Sequence, residues 1–251
     1  MIKGISSGKT RYVLLFAILA SLLALLGSLV PLPKAVAVGE AAASVFLEGP
    51  TEPMALCGEF QVQVKIGNVS DLYGAEFHLS FDPNLMEVVD ADPNLDGIQI
   101  APSAELFPFV PGSYYTDPDT GETYYYSYDK TDGGYFIAQC EADNTSGRVN
   151  YAITLLDPAP PAATAAAATL AIITFHCKAE GTADILFSNP VQGEPPVKLA
   201  DSQANPIPYG ELRPITIVQV SGLPDLVVKE KFESWVDEAQ KIYRVSYTIK
   251  N

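Results

Sequence analysis

The chain has 251 residues, with 15 Lys+Arg against 30 Asp+Glu, 48% apolar and 18% charged. Residues 1–37 hold four bases (Lys3, Lys9, Arg11, Lys34) and no acid, so the other 251 − 37 = 214 residues carry 15 − 4 = 11 bases and 30 acids, net −19. Such a surface repels phosphate backbones and anionic headgroups, which excludes nucleic-acid binding. The apolar content excludes intrinsic disorder and suits one ordinary domain with a real core.

At the N-terminus, Lys3, Lys9 and Arg11 precede an apolar run from Tyr12 to Val30, followed by Pro31, Pro33 and the small-residue site Ala35-Val36-Ala37. That order predicts a secretory signal over residues 1–37, cleaved after Ala37. The run is also long enough to span a bilayer, so an uncleaved anchor is the alternative, and the only route to a membrane. Both readings place the rest of the protein outside the membrane.

From Ser44 to Val220 the pattern is all-β. Glu59-Phe60-Gln61-Val62-Gln63-Val64-Lys65-Ile66 is apolar at every second position, the mark of a strand with one buried face. Ala75, Phe77, Leu79 and Phe81 repeat it, with Gly74, Glu76, His78 and Ser80 on the opposite face. Asp82-Pro83-Asn84 makes a turn before a strand from Leu85 to Val89. Further strands are predicted over Arg148–Leu156, Leu170–Lys178, Ala183–Ser188 and Ile215–Val220. Short strands punctuated by Gly, Pro, Asn and Asp predict two packed antiparallel sheets. Ser113 to Tyr135 holds seven of the thirteen Tyr and reads as a hairpin or a long loop; Pro158 to Ala168 reads as a loop or a helical turn.

Charge marks a second boundary. Val38 to Gly222 carries 25 acids and 6 bases, whereas Leu223 to Asn251 carries five of each. The Gly222-Leu223-Pro224 junction therefore separates the sandwich from a tail of two predicted strands, an incomplete β segment that cannot bury a core alone.

The run from Asn68 to Asp90, including Phe77-His78-Leu79-Ser80-Phe81-Asp82-Pro83, resembles the early strands of a cohesin domain. Asp143 to Ile153, Thr169 to Phe175 and Val197 to Ser202 resemble later parts of that family, in its order, so that the resemblance covers residues 44–220. It implies a nine-stranded jelly-roll β-sandwich related to carbohydrate-binding modules, non-catalytic and without a cofactor, whose partner is a dockerin module on another protein. It also implies docking on one flat sheet face, with Glu76 as the acid before the motif Phe and Gly74, His78 and Ser80 beside it. On the strand Val149–Leu156 it implies Ile153 as an exposed apolar contact, although alternation alone leaves the face of Ile153 open. The tail, residues 224–251, resembles the start of a CARDB-type adhesion module.

Blander readings stand beside these. Glu76 is equally consistent with a solvated strand residue. His78 and His176 read as surface residues, since no Cys or acid flanks them at metal-ligand spacing. No nucleophile elbow or catalytic Cys signature is present, which argues against an enzyme. Asp92-Pro93-Asn94-Leu95-Asp96-Gly97 has oxygen ligands at alternate positions like a calcium loop, but Ser103 stands where the bidentate Glu belongs, so ordinary loop chemistry is favoured. Asp117-Pro118-Asp119-Thr120-Gly121-Glu122 is a weaker case of the same kind. Cys57, Cys140 and Cys177 permit one disulfide outside the cell, and the spacing does not choose the pair. Asn68 and Asn144 head N-glycosylation sequons. Two rivals to dockerin binding follow: a polysaccharide-binding module using Tyr124, Tyr125 and Tyr126, and a structural subunit for cell-surface adhesion.

Overall fold

The computed structural model describes residues 42–191, 193–221, 227–237 and 239–250. The predicted export signal and the 222–224 junction lie outside the described residues. In chain order the strands begin with β1 (Ala43–Glu48), β2 (Met54–Ala55), β3 (Glu59–Gly67), β4 (Val69–Leu72), β5 (Gly74–Ser80), β6 (Met86–Val88) and β7 (Ala101–Pro102). They continue as β8 (Tyr114–Thr116), β9 (Thr123–Asp129), β10 (Gly133–Asp143), β11 (Arg148–Leu156), β12 (Ala162–Thr164) and β13 (Ala168–Cys177). The last are β14 (Gly181–Phe187), β15 (Val197–Ala200), β16 (Tyr209–Arg213), β17 (Ile215–Val220), β18 (Val227–Asp237) and β19 (Ile242–Lys250).

One sheet runs β16-β1-β3-β13-β6, with β7 also on β13. The larger sheet runs β2-β17-β14-β5-β11-β10-β9, with β15 sharing the edge of β5. Alternation explains why they stack. Phe60, Val62, Val64 and Ile66 of β3 are buried, as are Phe77 and Leu79 of β5 and Val149, Tyr151, Ile153 and Leu155 of β11. Phe77 stacks on Tyr151 at 5.2 Å between ring centroids, and Phe60 on Phe175 at 5.5 Å. Contacts of this kind add about 1 kcal/mol each to the area they bury. The all-β sandwich expected from the pattern is the observed class. Short edge pieces such as β2 and β7 carry the described strands beyond nine.

The pairing is not uniformly antiparallel. β1 runs parallel to β16, and β2 parallel to β17. Only Pro214 separates β16 from β17. Having no N–H, it cannot carry a ladder onward, and the chain changes sheets there. The Pro158–Ala168 stretch forms no helical turn. Its Ala162–Thr164 segment pairs instead with β4, Ala162 facing Leu72.

The Tyr-rich stretch resolves into a hairpin. β9 and β10 pair antiparallel, and β10 pairs β11, so the larger sheet is extended by one hairpin. Tyr125 and Tyr135 are buried, and their hydroxyls work inside the fold. Tyr125 donates to Asp92 Oδ2 at 2.7 Å and Tyr135 to the Val110 carbonyl at 3.1 Å. Residues Tyr115–Thr123 contain a turn in which Asp117 Oδ1 accepts the Asp119 N–H at 2.8 Å. The tail is a hairpin of β18 and β19, paired from Val227–Lys250 to Asp237–Ile242 with register shifts between Val228 and Glu230 and between Trp235 and Asp237.

Candidate partner-binding face

The outward side of β5 and its neighbours carries the residues singled out from the sequence. Gly74, Glu76, His78 and Ser80 alternate with buried Ala75, Phe77 and Leu79, as the pattern required. Register then sets their neighbours. Glu76 lies between Ala152 of β11 and Lys198 of β15, His78 opposite Asn150, and Gly74 between Thr154 and Ala200. One row further on, Phe136 faces Thr154 on one side and Tyr126 on the other. Tyr124 and Tyr126 pack around Phe136 with centroids at 5.5 and 6.5 Å. Small residues therefore make a flat floor at Gly74, Ala152 and Ala200, bounded by a charged cluster and an aromatic cluster.

The charged cluster is a connected chain. Lys198 Nζ donates to Glu194 Oε2 at 2.8 Å and to Glu76 Oε1 at 2.9 Å. The same Glu76 oxygen lies 2.7 Å from His78 Nε2, while His78 Nδ1 lies 2.8 Å from Asn150 Oδ1. Asn150 Nδ2 in turn donates to Glu141 at 3.4 Å. With an acceptor oxygen at each ring nitrogen, the network suits the doubly protonated imidazolium. Its hydrogen bond to His78 is the main cause of a Glu76 carboxyl held below its usual range, with Lys198 assisting against burial. Burial pushes the His78 imidazole down, but its bonds to Glu76 and Asn150 outweigh that and leave it raised.

This pair gives stability a pH signature. His78 is raised in the folded state, so its contribution is full below the ordinary value of 6.5 and is lost as pH rises through the folded value. Glu76 is lowered, so its contribution is full above 4.5 and is lost as pH falls through the folded value. We expect the melting temperature to drop by about 3 °C or more between pH 5.5 and 8.5, the equivalent of roughly 1 kcal/mol. His78→Gln should flatten that slope. An unchanged slope in the variant would show that other groups set it.

Several sequence expectations are corrected here. His78 is on the predicted face but is only 4% exposed, not a surface residue. At this position β5 changes partners: the His78 N–H donates to the Pro196 carbonyl and the Ser188 N–H to the His78 carbonyl, while the ring itself is held between Glu76 and Asn150. Ile153 is not an exposed contact. Its side chain is 4% exposed on the core face, and the outward neighbours on β11 are Ala152 and Thr154. The parity of β11 follows from its buried Val149 and Tyr151, which alternation among apolar residues could not reveal. Asn144 has its amide engaged: Oδ1 accepts the Val88 N–H at 2.7 Å and Nδ2 donates to the Val88 carbonyl at 2.9 Å. That clamp of β6 leaves its nitrogen spoken for, so the sugar-acceptor reading does not fit Asn144. Asn68 sits exposed in the turn between β3 and β4. Asp92 turns inward to the hydroxyls of Tyr114 and Tyr125 at 2.5 and 2.7 Å, which uses the carboxylate a calcium loop would have needed. His176 faces Glu87 across the β13–β6 pair at 3.6 Å.

Lys198, Asn150 and Phe136 were not among the residues expected at the site. Alternation places each on an outward face, but only the strand order sets them beside Glu76 and Gly74.

The cohesin domain family matches residues 58–203, which is more than half of the chain and includes every residue of this face. The chain belongs to the cohesin family. No curated protein matches it. Among solved structures, a type II cohesin domain from the cellulosome of Acetivibrio cellulolyticus has 16% identity and a TM-score of 0.46, over 70% of this chain and 95% of that one. An N-terminal interface mutant of a type II cohesin–X–dockerin complex from the same organism has 14% identity and a TM-score of 0.45, over 71% and 99%. A type I cohesin–dockerin complex from Clostridium thermocellum has 12% identity and a TM-score of 0.41, over 71% and 99%. The cohesin match does not extend to the β18–β19 hairpin.

Proposed function

We propose that this cohesin binds a dockerin module of another protein through the outer face of the β15-β5-β11-β10 region, and so tethers exported enzymes or adhesins to a scaffold or cell surface. The observation that carries the reading is the flat floor of Gly74, Ala152 and Ala200 beside a carboxylate whose position is fixed. Glu76 is held by both His78 and Lys198, so it meets a partner without first losing side-chain freedom. Flat small residues admit close contact, and the acidic domain around them steers a basic partner. The module is non-catalytic in this reading and needs no cofactor. In this reading residues 1–37 export it, and the tail belongs to an adhesion module.

Retention on a panel of immobilised dockerin modules tests this. At least one should hold the protein, and Glu76→Ala should weaken that complex about tenfold or more, ~1.4 kcal/mol. No retention by any dockerin, together with an inert Glu76→Ala, would remove the reading.

The Tyr124–Phe136–Tyr126 cluster supports a second reading, stacking of a polysaccharide on the same face. Tyr125 leaves that set because it is buried. Glycan binding abolished by Tyr124→Ala with Tyr126→Ala, and dockerin binding unaffected, would favour it.

A further inference from the structure

Of the three cysteines, the fold brings two together. Cys57 is exposed at a tight turn after β2, in the left-handed region at φ 60°, with the Gly58 N–H closing the turn onto the Ala55 carbonyl at 3.1 Å. Cys177 ends β13 and is fully buried. Their backbones are directly bonded: the Cys57 N–H donates to the Cys177 carbonyl at 3.2 Å, and the Cys177 N–H to the Gly58 carbonyl at 2.9 Å. The return bond goes to Gly58, so Cys57 and Gly58 together oppose Cys177 as in a β-bulge, which sets Cys57 beside the residue that a disulfide, spanning about 4.4–6.8 Å between Cα atoms, would have to reach.

We propose that Cys57 and Cys177 form a disulfide that pins the β2–β3 turn to the end of β13 when the protein meets an oxidising disulfide. The turn bearing Cys57 lies between the sheets: before it β2 pairs β17 of the larger sheet and the Leu56 N–H donates to the Val220 carbonyl, and after it β3 pairs β13 of the smaller one. Cys177 belongs to the smaller one. The bond therefore fastens the turn through which the chain passes from β2 to β3 onto the end of β13, at one end of the sandwich. A left-handed φ is uncommon for a residue other than Gly, Asn or Asp, and here it sets Cys57 against the end of β13.

The chemistry balances without a cofactor. The exposed Cys57 thiolate attacks one sulfur of the external disulfide, forming a mixed disulfide and expelling the first thiolate. The Cys177 thiolate then attacks the Cys57 sulfur and expels the second. Two protein thiols lose two electrons and two protons, and the external disulfide becomes two thiols. Burial, with Cys57 nearby, pushes the Cys177 thiol up, and the exposed Cys57 is the thiol that meets the external disulfide first. Cys140 is set apart. It lies opposite Tyr151, its Sγ–H donates to the Ile100 carbonyl at 3.1 Å, and burial pushes its thiol up to about 12.

The test uses the purified full chain, reduced, then equilibrated with oxidised glutathione, blocked with iodoacetamide and mapped by mass spectrometry without reduction. The expected result is a peptide containing Cys57 joined to one containing Cys177, with Cys140 as a free thiol. Oxidation should raise the melting temperature by about 10 °C, and Cys57→Ser should abolish that rise while melting with the reduced parent. A stable glutathione adduct on Cys57 with Cys177 still free, or a link to Cys140, would overturn the assignment. Dockerin binding is not needed for any of these readouts.

Discussion

Gly74→Arg should abolish measurable docking while leaving the sandwich folded. A Cβ added at Gly74 meets its nearest heavy atom, the Ile153 carbonyl oxygen, at 3.6 Å, then Ala200 Cβ at 3.8 Å and Thr154 Oγ1 at 3.9 Å. These are ordinary contacts, and the backbone there needs no glycine conformation. The arginine leaves the sheet from the middle of the flat floor, where a partner would have to approach most closely. Interface energy concentrates in such central, fully desolvated positions, so obstruction there costs more than at a rim. The expected loss is at least about 100-fold in affinity, ~2.8 kcal/mol. The melting temperature should change by no more than about 3 °C. Calorimetric titration of the dockerin retained in the panel, run beside a thermal melt, reads both. Wild-type affinity in the folded variant would move the binding face elsewhere.

The same kind of substitution at Gly134 should do the reverse, breaking the fold rather than the face. Gly134 is the second residue of β10 and pairs with Tyr128 of β9, and its added Cβ would stand 1.8 Å from the Ser127 carbonyl oxygen and 2.7 Å from its carbon. These are backbone atoms, so no rotamer change relieves the clash. Gly134→Ala therefore requires the hairpin to part, and with it the packing of buried Tyr125 and Tyr135 against Phe109 at 5.4 and 5.7 Å. We expect a loss of about 4 kcal/mol, in the range kept for strain and lost core packing. At a slope of about 2 kcal/mol/M, that moves the urea midpoint down by roughly 2 M. A shift under about 0.5 M would mean that β9 can move away from β10 at little cost. Gly74→Ala is the internal control, expected to lie within about 0.5 kcal/mol of the parent.

Comparing the two glycines shows where sequence reasoning stops. Both are glycines in or beside strands of one sheet, and no local pattern separates them. Their difference is the distance to a neighbouring backbone. His78 makes the same point about burial. Alternation correctly put it on the face of Glu76, but the residue is buried where its backbone bonds segments that arrive at Ser188 and Pro196, over a hundred residues later. Ile153 fails for a related reason. A strand reading Val-Asn-Tyr-Ala-Ile-Thr-Leu-Leu has apolar groups on both faces, so its parity depends on which face meets Phe77 and Leu79.

The sequence alone determined the acidic all-β character of the domain, most of its strand positions, the outward face of β5 and the family, because a period of two and turn-forming residues are local signals. Tertiary structure alone decided which strands lie beside β5, which outward residues are buried, and which two cysteines meet. Those depend on contacts between residues far apart in the chain, and a one-dimensional pattern carries no information about strand order. The net charge of −19 outside residues 1–37, which at first only excluded nucleic acid, thereby acquires a specific carboxylate. Glu76 is fixed by His78 and Lys198 on the face proposed for a partner.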